Sequence, residues 1–311
     1  MTKVGSESTL QELAARLFGL APPPVHVEFG ALSHPGKVRA ENEDHFVVVR
    51  RRRTRDVLLT NLPEGVLAPS DEAAYSMVVA DGVGGAAFGE MASLLALQTA
   101  WNLTSSAVKW PFQWTEGEAD ELTQTLQLYG QLIHRALVER SQADPRYAGM
   151  ATTITGAVTI GTEAFIAHVG DSRAYLARGG RLERLTRDHT MAQRLVDSGD
   201  LPSVGDAPGF MRSLLVNCLG GRRRDDVEVD VRRVHLADGD RLLLCTDGLT
   251  DMVGEADIAR ALDAHPEPEA ACRTLVDLAL AGGGRDNVTV VLARFAIPPV
   301  AGEGLAAGPS G

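Results

Sequence analysis

Between residues 25 and 297 apolar residues gather into short runs, broken by Gly, Asp, Asn and Pro. Runs over 25–29, 46–49 and 77–80 predict three early strands, rich in Val and bounded by turn residues. Strand patterns over 153–160, 164–169 and 173–177 follow closely, with only Gly161-Thr162 and Gly170-Asp171 as turns, a spacing that predicts an antiparallel meander. Runs over 227–235, 242–245 and 288–295 predict the last strands. Apolar positions at helical spacing predict helices over 90–105, 119–140, 191–198, 255–263 and 269–281; Leu94, Leu95 and Trp101 give the first a partly apolar face.

Strands come in runs and the longest helices in pairs. That order argues for an α+β fold of sheets layered with helices, not for a strictly alternating parallel sheet. The expected domain spans 25–297. Before it, residues 1–24 form an N-terminal extension with a short amphipathic stretch over 11–18, stopped by Pro22-Pro23-Pro24. After it, 298–311 is rich in Pro, Gly and Ala and reads as a flexible tail. Residues 50–75 contain Pro63, Gly65 and Pro69 and read as a long loop or insertion.

Charge narrows the partners. The net charge of −11 argues against a general affinity for nucleic acid. The one basic run, Arg50 to Arg53 with Arg55, reads as a solvated hairpin or loop face. Cys218, Cys245 and Cys272 are far apart and form no CxxC pair, so reduced thiols are expected. No charged start precedes an apolar run at the N-terminus, and no apolar stretch has the length of a membrane span; a cytoplasmic location is expected.

The acids carry the chemistry. Met77-Val78-Val79-Ala80 runs into Asp81-Gly82, and Leu242-Leu243-Leu244-Cys245-Thr246 runs into Asp247-Gly248. The strand ending at Val169 leads to Gly170-Asp171-Ser172, Asp286-Asn287 precedes the strand at Val288, and Glu43-Asp44 precedes the strand at Phe46. One Asp-Gly alone is a turn dipeptide. Several acids at the ends of buried strands are different: if they converge, each pair repels by about 4 kcal/mol at 4 Å and an effective dielectric near 20. Such a cluster needs cations or raised pKa values. Oxygen donors without His or Cys favour hard octahedral ions, Mn2+ or Mg2+.

Gly82, Gly84 and Ala87 also satisfy the G-x-G-x-x-[GA] spacing of dinucleotide-binding turns. Asp81 would set a carboxylate beside the pyrophosphate, and the acid expected about 20 residues later is missing from Leu-Thr-Ser-Ser-Ala-Val at 103–108. The glycines fit better as a close approach of backbone to a metal and to the following helix.

The ordered set Arg39-Ala40-Glu41-Asn42-Glu43-Asp44, Val79-Ala80-Asp81-Gly82-Val83-Gly84-Gly85, Met150-Ala151-Thr152-Thr153, Val169-Gly170-Asp171-Ser172-Arg173, Leu185-Thr186-Arg187-Asp188-His189, Thr246-Asp247-Gly248-Leu249-Thr250-Asp251 and Gly284-Arg285-Asp286-Asn287 closely resembles the protein phosphatase 2C family, in its bacterial form. The resemblance implies a four-layer α-β-β-α sandwich of two antiparallel sheets flanked by helix pairs. It implies two core metal ions, with Asp81 bridging them, Asp247 and Asp286 completing the first, and Glu43 with the Gly82 carbonyl around the second. Asp171, Asp247 and Asp251 match a third, weaker site. Arg39 matches the residue that holds the substrate phosphate, a task suited to a planar guanidinium fork. Asp44, Thr152 and Asn287 are expected to support the site by hydrogen bonds.

The implied activity is hydrolysis of phosphoserine and phosphothreonine on proteins by a metal-bridging hydroxide, opposing a bacterial Ser/Thr kinase; the implied partners are that kinase or its substrates. The alternative is a pseudophosphatase that binds or senses without catalysis. Three departures stand out. Val83 occupies the place of a histidine proposed as general acid in many eukaryotic members, Ala151 that of a usual glycine, and the Gly- and Pro-containing segment 197–212, expected as a flap, fits the family poorly. His189 is expected to be structural.

Overall fold

In the computed structural model, residues 25–63, 70–83, 87–105, 116–221 and 226–298 are described. The expected helix at 11–18 and the tail beyond 298 lie outside them. The strands are β1 (His26–His34), β2 (His45–Arg55), β3 (Ser70–Ala80), β4 (Gly82–Val83), β5 (Ala151–Thr152), β6 (Ile154–Ile160), β7 (Glu163–Val169), β8 (Arg173–Arg178), β9 (Arg181–Arg184), β10 (Leu219–Gly220), β11 (Asp230–His235), β12 (Arg241–Cys245) and β13 (Val288–Ala296). The α-helices are α1 (Ala87–Ser105), α2 (Glu116–Ala143), α3 (Met191–Asp197), α4 (Gly209–Arg212), α5 (Asp247–Thr250), α6 (Glu255–Ala264) and α7 (Pro268–Ala281).

One antiparallel sheet runs β1-β13-β12-β8-β9, a second β11-β7-β6-β3-β2, and a small third, β10-β5-β4, lies beside the helix pair α1 and α2. The unbroken apolar runs of β12 and β13 have a direct cause: both of their faces are covered. Leu242, Leu244, Val291 and Phe295 meet Met77, Val79 and Ile166 of the other sheet. Their neighbours Leu243, Cys245, Val290 and Leu292 point the other way, onto Ile258, Leu275 and Val276 of α6 and α7. A third cluster, with Ala92, Ala96, Ile133 and Leu137, joins α1 and α2 to Val169 and Leu219. These three apolar layers make the expected four-layer sandwich of two antiparallel sheets flanked by helix pairs.

Two expectations need correction. β6 and β7 pair as predicted, but β8 does not extend the meander; it crosses to the other sheet and pairs with β12 and β9. The crossing turns on Gly170, at φ 114, where a Cβ would lie 2.5 Å from the Thr153 side chain. Only glycine takes that conformation without strain. Both ends of the supposed loop over 50–75 are strand: β2 and β3 pair continuously from His45 with Ala80 to Arg55 with Ser70, and residues 56–63 are not strand. β2 is an edge strand. Arg50, Arg52 and Arg53 are exposed and Arg51 is half-buried, so the run carries no apolar alternation to reveal it.

Candidate active site

The strand-end acids are brought together at one end of the two large sheets. At the end of β3 the Asp81 backbone is clamped: its N–H donates to Thr153 Oγ1 (3.2 Å), and its carbonyl accepts from Thr152 Oγ1 (2.6 Å) and Thr153 N–H (2.9 Å). At the end of β12, Thr246 Oγ1 donates to Asp44 Oδ2 (2.8 Å) and accepts from Thr289 N–H (3.0 Å), tying the chain before β2 to β12 and β13. Asp247 then opens α5. A Cβ on Gly248 would fall 1.9 Å from the Asn287 carbonyl, so this turn and the one before β13 touch backbone to backbone. Asn287 donates through Nδ2 to Pro35 O (3.0 Å) and Glu41 O (2.8 Å), while its Oδ1 accepts from Glu43 N–H (2.8 Å). One side chain thus fixes the segment carrying Arg39 and Glu43.

The result is a cavity of about 510 Å³ whose lining includes Arg39, Glu43, Asp81, Gly82, Asp171, Asp247, Asp286 and Asn287. Asp44 and Thr152 lie buried behind it. Asp251 flanks it and donates its backbone N–H to Asp247 O (2.8 Å). Arg39 Nη2 contacts Asp286 Oδ2 at 2.7 Å, with both side chains partly in solvent. Ser213 and Leu215, just beyond α4 and past the segment 197–212 expected as a flap, form part of the wall.

Burial, then the neighbouring carboxylates Asp44, Asp247, Asp171 and Asp286, push the Asp81 pKa well above the ordinary value. Burial and then Asp171, Asp251, Asp286 and Asp44 do the same to Asp247. Asp171 rises to about 7 through burial, Asp188 and Asp251. Asp44 also rises to about 7, through burial, although hydrogen bonds from Thr289 and Thr246 oppose it. Burial likewise raises Glu43 and Asp251.

Asp247 Oδ1 and Asp44 Oδ1 are buried without a hydrogen-bond partner. A buried carboxylate oxygen left in that state is costly and calls for a cation or a proton. Among the described residues no three His, Cys, Asp or Glu side chains already close on one point as a ligand set. What fits the cluster to divalent ions is its chemistry: oxygen donors only, mutually repelling, with an orphaned oxygen on Asp247. Hard cations match that set.

Other residues fall outside this chemistry. His189 Nδ1 accepts from Gly170 N–H (3.1 Å) and Asn217 Nδ2 (2.9 Å), and its Nε2 faces Asp230 Oδ2 (3.1 Å), which is the structural role expected of it. A larger cavity of about 610 Å³, between β9 and β11, holds Arg184, Arg187 and Arg232. Each of these already has a carboxylate partner, in Asp188, Asp197 and Glu183. Thr246 and Thr153 are further anchors of the site: Thr246 stands between an apolar strand and the Asp247-Gly248 turn, and Thr153 stands just before β6.

The Protein phosphatase 2C family model matches residues 67–278. The serine/threonine protein phosphatase PstP of Mycobacterium tuberculosis is 34% identical over 86% of this chain, which spans 45% of the length of that relative. The serine/threonine phosphatase stp of Listeria monocytogenes is 31% identical over 86% of this chain and 95% of its own. Among solved structures, the catalytic domain of PstP in complex with two manganese ions superposes with a TM-score of 0.66 at 31% identity, covering 88% of this chain and all of that one.

Proposed function

The chain belongs to the protein phosphatase 2C family, and from that premise we propose that it hydrolyses phosphoserine and phosphothreonine on proteins with Mn2+ or Mg2+ held by the strand-end acids. The observation that carries this reading is the buried carboxylate cluster with its unpartnered Asp247 oxygen, opening on a cavity that also holds Arg39. Asp81, ringed by Asp44, Asp247, Asp171 and Asp286, is assigned to both core ions. Asp247 and Asp286 are assigned to the first, Glu43 and the Gly82 carbonyl to the second, and Asp171, Asp247 and Asp251 to a weaker third. When bound, the ions would acidify water to supply the nucleophile at neutral pH and offset charge on the phosphoryl oxygens.

The chain's own residues do the rest. Arg39 is half exposed and reaches over the cavity on a segment fixed by Asn287. Its guanidinium exchanges Asp286 for two phosphoryl oxygens, a bidentate geometry that a carboxylate and a phosphate both satisfy. Thr152 and Thr153 hold the Asp81 backbone, and Thr246 orients Asp44. Fixing these groups before substrate arrives is the main source of electrostatic stabilisation in such a site. Val83 lines the wall, and among the described residues no His or Tyr does. The three free cysteines fit a reducing compartment, the cytoplasm, where a Ser/Thr kinase or its substrates would be the partners.

The assay is Mn2+-dependent release of phosphate from a phosphothreonine peptide, abolished by EDTA. Absence of release in any divalent metal, with the chain folded, removes this reading and favours a binding role.

A further inference from the structure

α1 carries a glycine in its first turns, at Gly89, where alanine would make the better helix. Space explains it. A Cβ there would lie 2.1 Å from Glu43 Oε2 and 2.7 Å from the Gly82 carbonyl oxygen. The contact is reciprocal: a Cβ on Gly82 would lie 2.3 Å from the backbone of Gly89. The Glu43 carboxylate could swing aside, but the Gly82 carbonyl belongs to β4, which is paired with β5, and has no such freedom.

One turn further along the same face stands Ser93, fully buried. Its Oγ donates to the Glu43 carbonyl at 2.6 Å and lies 2.9 Å from His45 Nδ1. Glu43 is therefore held at both ends of its backbone, its N–H by Asn287 and its carbonyl by Ser93.

We propose that Gly89 and Ser93 are positioning residues for the second ion: Gly89, by lacking a side chain, lets the Glu43 carboxylate and the Gly82 carbonyl approach each other, and Ser93 locks the Glu43 backbone in that place. This rests on the phosphatase reading, in which those two oxygens serve that ion. The helix backing the small sheet thereby bears most directly on the second ion, since Asp247 and Asp286 stand at the ends of β12 and β13.

Calorimetric titration of the full chain with Mn2+ tests this without any activity readout. Gly89→Ala should weaken one binding event by about tenfold or more, the usual effect of disturbing the groups that orient ligands, and change the others much less. Ser93→Ala should weaken the same event by a smaller factor. Thermal unfolding checks that each variant folds. Unchanged binding events in folded Gly89→Ala overturn the proposal; should that variant not fold, unchanged binding in Ser93→Ala overturns it. Failure of the wild-type chain to bind Mn2+ at all overturns instead the phosphatase reading beneath it.

Discussion

Asp188 is buried and Asp247 is half-buried with its Oδ1 sealed from solvent, and the fold answers them in opposite ways. Arg173 reaches Asp188 through Nε (3.0 and 3.2 Å) and Nη2 (2.7 Å), and Arg184 joins from the other side. Burial pushes the Asp188 pKa up, but the hydrogen bonds and charges of these arginines outweigh it, and the net shift is downward. At the cavity the lining arginine, Arg39, pairs with Asp286 instead. Asp247 has carboxylates for neighbours, one oxygen without a partner and a pKa driven well up. Where an acid serves the scaffold, the fold brings its own counter-charge. Where the acid is left uncompensated, the counter-charge has to come from outside, as a proton or a metal ion.

Neutralising the two acids should therefore give opposite results. Asp247→Asn should lower phosphate release by on the order of 10²–10³-fold, the scale of losing one strong electrostatic group from a preorganised site. The same change should raise the thermal midpoint of the metal-free chain, because a repelling buried charge is gone. Wild-type activity in Asp247→Asn would end the contrast.

Asp188→Asn should destabilise the fold by about 3 kcal/mol, since it leaves Arg173 buried and unpaired. Denaturant unfolding measures this, and a change within experimental error would show that the arginines find water instead.

A third measurement uses pH. In EDTA, Asp44 and Asp171 keep their protons in the folded chain up to about pH 7, while in the unfolded chain they release them near the ordinary value of 3.8. Between those values the folded state binds more protons than the unfolded one, so stability should fall as pH rises from about 5 to about 7. Asp188, shifted down, contributes stability that disappears only below its ordinary range. Saturating Mn2+ should reverse the slope, because the ion binds the deprotonated acids, and should add about 2.7 kcal/mol at a hundred times Kd. A thermal midpoint that is flat across that range in EDTA would show that the cavity acids are already compensated.

Much of this site was legible in the order of residues. Asp81, Asp171, Asp247 and Asp286 stood out because each ends or begins an apolar strand, and β12 and β13 could be recognised from runs buried on both faces. The arginine-rich arm of β2 was not legible, since an edge strand in water needs no alternation. Nor was the crossing at Gly170 that sends β8 to the other sheet: a short Gly-Asp turn serves a hairpin and a change of sheet equally well, and the difference lies in the Thr153 side chain packed against it. Gly89 was silent for the same reason, because a missing side chain shows its purpose only beside the oxygens it makes room for.

By itself, then, the amino-acid order determined where most strands and helices lie, the arginine-rich arm of β2 excepted, and which acids stand at their ends. Those are local matters of periodicity, turn chemistry and the need to bury apolar side chains. Only the tertiary structure decided that five separated strand ends share one cavity, that Asp188 is compensated and Asp247 is not, and that Asn287, Thr246 and Ser93 hold the pieces in register. Charge compensation and close backbone approach depend on distance through space, and residues such as Asp44 and Thr246 are 202 positions apart along the chain.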